Sequence, residues 1–239
     1  AWGLQDMTGL LSHSLNVGAA TLSTTLGPQQ FYDYVSAFGI GRLTNIDAAG
    51  EERGHLRRPG DSDWHDSDLA TNSFGQGVAT TSLQMITAVS AIANGGAIMH
   101  PHLLREVHDG DAVYNSQPQI MSRPVSREVA QTLSDMLANS LAEETKLALV
   151  DGYSLVGKTG TASIPMPYGY DPDRTIASFI GWGPAEDPRF IVFVKLDAPT
   201  PEWGSLTAAP TFSDLVKRLV VLMDIPPDAI RRELASSVG

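Results

Sequence analysis

Lys158-Thr159-Gly160-Thr161-Ala162 is the stretch whose reading decides the fold. Residues 153–162 follow an Asp151-Gly152 turn signal and read as a β-strand. A lysine, two hydroxyls and a glycine then close that strand. An ammonium group favours the deprotonated form of a nearby hydroxyl. Two threonine hydroxyls can donate to a carboxylate. Glycine removes a side chain, so that a ligand can approach the backbone. Strict alternation sends Lys158 and Thr159 to opposite faces of a sheet. Both serve one site only if the strand lies at a sheet edge and the cleft runs along that edge. The free backbone groups of such an edge can pair with an extended peptide.

Two further strands are expected downstream, at 176–182 and 190–196, linked as a hairpin by Pro184-Ala185-Glu186-Asp187-Pro188. A closing helix follows, with Phe212, Leu215, Val216, Leu219 and Leu222 on its buried stripe and Pro210 in its first turn. Upstream the chain reads mainly as helix. One helix covers about 82–94, opened by a Thr81/Gln84 capping box and stopped by Asn94-Gly95-Gly96. Another follows Ser126, with Val129, Leu133, Met136, Leu137 and Leu141 on one stripe. A third covers 27–38 and ends at Gly39. Helices first, then antiparallel strands and a packing helix, make an α+β fold. The expected division is a mainly helical region at 1–150 and a strand region with its closing helix at 151–239.

Composition excludes several functions. The 239 residues carry a formal net charge of −11 and no basic run, so a nucleic-acid partner is not expected. The chain has no cysteine, which removes disulfides, thiolate metal sites and a cysteine nucleophile together. No apolar run approaches the length of a membrane span. Three local clusters are read as structural. Asp61-Ser62-Asp63-Trp64-His65-Asp66-Ser67-Asp68 lacks the glycine and glutamate of a calcium loop and reads as a solvated loop capping the next helix. His100-Pro101-His102 lacks a third ligand, so no metal is expected. Glu143-Glu144 reads as a hydrated helix end.

A Lys-Thr-Gly tripeptide alone recurs by chance; its context is what counts. Ser14-Leu15-Asn16 lies upstream where a helix should open, and forms a Ser-x-Asn pattern whose serine can relay a proton and whose asparagine can hold an amide. Around it, Ser12-His13-Ser14-Leu15-Asn16-Val17-Gly18 resembles the Ser-x-Asn neighbourhood of class B penicillin-binding proteins. Phe38-Gly39-Ile40-Gly41-Arg42, Asn45-Ile46-Asp47 and Gly50-Glu51 resemble that family too. So do Asn72-Ser73-Phe74-Gly75-Gln76-Gly77, Thr80-Thr81-Ser82-Leu83-Gln84, Ala93-Asn94-Gly95-Gly96 and Trp203-Gly204 through Ala208-Ala209-Pro210-Thr211-Phe212. The family has proline where Ser82 stands, a mild change at a first helical position.

The resemblance implies a penicillin-binding protein/serine β-lactamase-like transpeptidase fold and a peptidoglycan D,D-transpeptidase. A serine attacks the penultimate D-alanine carbonyl of a stem peptide and an amine from a neighbouring stem takes the acyl group. β-Lactam antibiotics mimic the D-alanyl-D-alanine end. By resemblance, Ser14, Asn16 and Lys158 are catalytic. Thr159, Gly160 and Thr161 bind substrate, with the Thr161 N–H forming half of an oxyanion hole. No cofactor or metal is implied. The expected place is the extracytoplasmic face of the bacterial cell membrane, with the anchor outside this chain.

The family's first motif, Ser-x-x-Lys, supplies the nucleophile and its base, and it occurs nowhere in the 239 residues. The chain is therefore expected to be the C-terminal portion of the domain and inactive by itself. The family sheet has five strands, two of them before Ser-x-x-Lys, so an incomplete sheet with an exposed edge at 190–196 is expected. That edge should bind the missing N-terminal part of the same protein or a second copy. The other serine-acyl readings are a β-lactamase or a β-lactam sensor without turnover. The 142 positions from Asn16 to Lys158 are long for a compact β-lactamase.

Overall fold

The computed structural model describes residues 2–237. Along the chain it contains α1 (Met7–Ser12), α2 (Asn16–Leu26), α3 (Pro28–Ala37), β1 (His55–Leu56), α4 (Asp66–Asn72), β2 (Val78–Ala79) and α5 (Ser82–Ala93). Then come β3 (Ile98–Met99), β4 (Glu106–Asp109), β5 (Ala112–Asn115), β6 (Ile120–Ser122) and α6 (Arg127–Glu144). A 3-10 turn at Lys146–Ala148 leads to β7 (Val156–Met166), β8 (Gly169–Gly183) and β9 (Phe190–Asp197), and the chain closes with α7 (Ala208–Leu222) and α8 (Asp228–Ser237). These elements fall into two compact units, one of residues 2–15 with 133–237, the other of 16–132.

In the second unit, α5 starts where its capping box places it. Thr81 Oγ1 accepts from the Gln84 N–H, and Gln84 Oε1 accepts from the Thr81 N–H, each at 3.1 Å. Gln84 does more than cap. Its side chain is buried, and its Nε2 donates to the carbonyls of Arg42 at 2.6 Å and Arg53 at 2.8 Å. One residue thus fixes the helix start and two points of the preceding loop. Tyr32 gathers a second polar node, its hydroxyl accepting from Trp64 Nε1 and Asn72 Nδ2, both at 2.9 Å. The acidic loop before α4 is not simply solvated. Asp68 is buried, pairs with Arg57 at 3.1 Å and accepts from the His65 N–H at 2.9 Å. A buried carboxylate needs such partners, because leaving it unpaired would cost several kcal/mol (roughly 3–5).

In the first unit, β7, β8 and β9 form one antiparallel sheet in that order. The sequence places β9 and the end of β8 well, but β8 starts at Gly169 rather than 176, pairing with the extended β7; Arg189 N–H closes the β8–β9 hairpin on the Gly183 carbonyl at 2.8 Å. The first strand differs from expectation. It begins at Val156 rather than 153 and runs on to Met166. Tyr153 instead bridges to Val150, and its hydroxyl donates to the Ile225 carbonyl at 2.9 Å, which removes that residue from the strand.

The α7 helix covers one face of the sheet. Phe212, Val216 and Val220 are buried at i, i+4, i+8, and the Phe212 and Phe179 rings lie 4.6 Å apart. Leu215 and Leu222, expected on that stripe, are exposed. At 100° per residue they lie roughly 60–80° off the Phe212 line, beyond the ridge that meets the sheet. Val129 of α6 is exposed for the same kind of reason, and Ala130, Ser134, Ser140 and Leu141 are the buried positions. Leu141, Ala148, Val150, Leu155, Phe179 and Val194 complete the core with the α7 residues.

A glycine pair gives this sheet its tight spot. Gly157 stands opposite Gly181 across β7 and β8. A Cβ on Gly157 would come within 2.6 Å of the Phe179 ring, and one on Gly181 within 2.9 Å of the same ring and of Phe212. The two missing side chains make the space that the aromatic pair fills.

Candidate functional site

Lys158, Thr159, Gly160 and Thr161 lie in the middle of β7, opposite Ile180, Phe179, Ser178 and Ala177 of β8. Since β7 pairs only with β8 in its sheet, its other side is an edge. This is the placement that the two opposed faces of Lys158 and Thr159 require.

The Lys158 side chain is half-buried, and its desolvation pushes the ammonium below the ordinary lysine value. No carboxylate pairs with it among the described residues; its nearest polar partner is Thr159 Oγ1 at 3.4 Å. A desolvated ammonium without an anion keeps its field for whatever enters beside it. Thr161 is exposed, and its Oγ1 accepts from the Gly204 N–H at 3.2 Å. With that lone pair engaged, the hydroxyl proton remains available to donate.

Gly160 has a different reason from the one its sequence suggests. A Cβ there would meet Ser178 Oγ at 2.6 Å, and that hydroxyl donates to the Gly160 carbonyl at 3.4 Å. The missing side chain makes room for the neighbouring strand. Gly204 is equally constrained, since its Cβ would lie 2.5 Å from the Ser178 carbonyl oxygen and 2.7 Å from that of Gly160. The segment before α7 therefore lies directly against β7 and β8. It is tied there twice, by Gly204 to Thr161 and by the Thr175 hydroxyl donating to the Glu202 carbonyl at 2.7 Å. Sequence reasoning missed this tie, although a Trp203-Gly204 pair before a helix is the kind of close-approach signal that could have found it.

Ser14 and Asn16 flank a turn. Ser14 follows α1 with φ of 51°, a left-handed conformation uncommon for serine, and Asn16 is the first residue of α2. Both are exposed. The structure thus groups Ser14 with Asn16 in one turn, and Lys158 with Thr159, Gly160 and Thr161 on one strand. Ser14 and the strand belong to the first unit, and Asn16 opens the second. The turn is held by backbone bonds from His13 N to Gly9 O at 3.0 Å and from Leu15 N to Leu10 O at 3.1 Å.

Glu144, expected to be hydrated, has a partner. Its Oε1 lies 3.4 Å from His13 Nδ1, and the His13 ring stacks on Trp2 with centroids 3.8 Å apart. Elsewhere, the second unit holds cavities of about 130 and 200 Å³, and none of the six expected site residues lines either. An edge-strand site is open by construction and need not coincide with an enclosed cavity.

Comparison with known proteins returns one family. The model of the penicillin binding protein transpeptidase domain matches residues 1–217. Stage V sporulation protein D of Bacillus subtilis is 34% identical over 234 residues, covering 94% of this chain and 35% of that protein. A probable peptidoglycan D,D-transpeptidase of Pseudomonas aeruginosa is 30% identical over 227 residues, covering 94% of this chain and 39% of its own length. Among solved structures, penicillin-binding protein 3 of Mycobacterium tuberculosis in complex with ampicillin superimposes with a TM-score of 0.83 at 31% identity. That match covers 92% of this chain and 52% of the other. The chain spans about a third of the length of the curated relatives it matches.

Proposed function

The chain belongs to the penicillin-binding protein transpeptidase domain family, and from that membership we propose that it carries the substrate-holding part of a peptidoglycan D,D-transpeptidase. The observation that carries the reading is the placement of Lys158-Thr159-Gly160-Thr161 on a free sheet edge, with the lysine half-buried and, among the described residues, without a carboxylate partner.

In this reading a stem peptide pairs along the outer edge of β7 as an added strand. The Thr159 and Thr161 hydroxyls donate to its terminal carboxylate. The nucleophilic serine lies outside these 239 residues, because no Ser-x-x-Lys occurs within them. Its oxygen attacks the penultimate D-alanine carbonyl as its proton leaves through a relay that includes Ser14, beside the positive field of Lys158. The Thr161 N–H and the nucleophile's own N–H take the developing oxyanion. The C–N bond then breaks, and the departing D-alanine amine receives the relayed proton. An amine from a second stem attacks the acyl-serine, loses its proton through the same relay and releases the serine. Asn16 holds the amide of the bound peptide. A β-lactam follows the first half of this path, its ring opening onto the serine. The same reading places the site on the extracytoplasmic face of the cell membrane, where peptidoglycan is built. It also makes the 239 residues inactive alone.

The test uses the protein that contains this chain together with its nucleophile. Lys158→Ala should slow acylation by a fluorescent penicillin strongly. Thr159→Val should mainly weaken ligand recognition, by roughly ten- to hundredfold for one lost bond to a charged group. Wild-type acylation in both variants would remove this strand from the site.

A further inference from the structure

We propose that His13 and Glu144 are positioning residues, a pair that fixes the turn presenting Ser14 and so sets the rate of acylation. The proposal rests on Ser14 acting in the reading above.

Three observations converge on the pair. The first is backbone strain. Ser14 sits at φ 51°, a conformation that helix ends usually give to glycine. A side chain is disfavoured there, so the turn persists only if its surroundings hold it. The helix before it is short, six residues, and offers little rigidity of its own.

The second is the fixing of the neighbouring side chain on two sides. The His13 ring lies nearly parallel to the Trp2 indole, 14° between planes. Its Nδ1 is buried and has no hydrogen bond of normal geometry, with Glu144 Oε1 at 3.4 Å as its charged neighbour. The Glu144 carboxylate is the charged group that faces this unsatisfied nitrogen.

The third is the place of Glu144. It is the last residue of α6, where the helix's own terminal carbonyls disfavour a carboxylate, and Glu143 adds a like charge. His13 Nδ1 faces Glu144 at 3.4 Å, a contact without a hydrogen bond, and this contact ties the residue before Ser14 to the end of a long helix. Rotation of the turn by even an ångström would move the Ser14 hydroxyl out of hydrogen-bond reach of a proton it must pass.

The experiment uses the protein containing this chain and its nucleophile, with His13→Ala, His13→Gln, Glu144→Gln and the His13→Ala/Glu144→Gln double variant. Acylation by a fluorescent penicillin is resolved into non-covalent binding and the acylation step. His13→Ala and Glu144→Gln should each slow the acylation step about tenfold, since small misplacements of a relay group have large kinetic effects. Non-covalent binding should stay within about twofold of wild type, a change worth only a fraction of 1.4 kcal/mol. The double variant should be no slower than the slower single one, because one pair is lost in every case. His13→Gln keeps a polar side chain toward Glu144 and should recover part of the rate. Glu144 is 43% exposed, so Glu144→Gln tests the pair even if His13→Ala unfolds the turn. Wild-type acylation in Glu144→Gln and His13→Gln, losses that multiply in the double variant, or losses confined to binding would each overturn the proposal. Ser14→Ala, run alongside, separates the two levels. If it acylates at the wild-type rate, the role of Ser14 itself falls. If it is slow while the His13 and Glu144 variants are not, only the pair's role falls.

Discussion

The Gly204 amide donates to the Thr161 hydroxyl at 3.2 Å, and this bond joins the approach to α7 to the edge strand that carries the motif. It orients a hydroxyl that the proposed reaction needs as a donor. It also makes the position of α7 a condition of the site's geometry, because Ala209 N–H donates to the Gly204 carbonyl at 2.9 Å at the helix start.

Gly204→Ala should therefore damage both stability and ligand binding. Its Cβ would sit 2.5 Å and 2.7 Å from two backbone carbonyl oxygens, and neither belongs to a side chain that can swing away. Overpacking of this kind costs about 1–3 kcal/mol. Urea unfolding and penicillin acylation should both register the change. Unaltered values in both would mean that the segment is not fixed on the sheet.

Lys158→Met should stabilise the fold at neutral pH. Burial lowers the ammonium below its usual 10.5. Between that lowered value and 10.5 the unfolded chain binds more protons than the folded one, so wild-type stability rises with pH across this window. Below the window the cost of the buried charge is complete; above it the cost is gone. Methionine removes the cost at every pH. The variant should melt higher than wild type at pH 7, by about 2–4 °C for each kcal/mol recovered. The gap should close toward pH 10.5. Melting curves of the two proteins at both pH values are the measurement, and a less stable methionine variant at pH 7 would contradict the assignment.

Gly157→Ala should cost about 1–3 kcal/mol through its clash with the Phe179 ring. Phe179→Leu should cost roughly as much through lost packing. Together they should cost less than the sum, since the leucine vacates the ring's share of the space, while the Ile180 carbonyl oxygen, 2.9 Å from the new Cβ, keeps part of the cost. Additive losses in a double-mutant cycle would show that the glycine pair and the ring are unrelated.

The outer side of β9 is the other edge of the sheet, and Phe190, Ile191, Val192 and Phe193 along it are only half-buried. The purified 239-residue chain should accordingly self-associate in light scattering, or co-purify with a further piece of the same protein seen by mass spectrometry. A stable monomer without a companion would show that β9 needs no neighbour.

Much of this fold is readable from residue pattern. Thr81 and Gln84 announce α5 because a capping box is a local exchange of two hydrogen bonds. The hairpin between β8 and β9 is announced by its prolines. What escaped depends on contacts remote in sequence. Tyr153 leaves the strand because of Ile225, and Asp68 is buried because of Arg57. Leu215 and Leu222 are exposed because only one line of α7 meets the sheet, and periodicity alone does not select that line. The residues of the proposed site were singled out from the sequence one by one. The partners that hold them, Gly204 beside Thr161 and Glu144 beside His13, were not. No local pattern couples residues that far apart in the chain.

The most direct test is intact-mass spectrometry after incubation with a penicillin, on the 239-residue chain and on the longer protein that contains it. The chain alone should remain unmodified. The longer protein should gain one adduct on a serine outside these residues, and Lys158→Ala should strongly reduce its rate of formation. A stoichiometric adduct on any serine of the 239-residue chain, or acylation of the longer protein indifferent to Lys158, would contradict the assignment of this chain as the substrate-holding part of a serine acyl-transfer site.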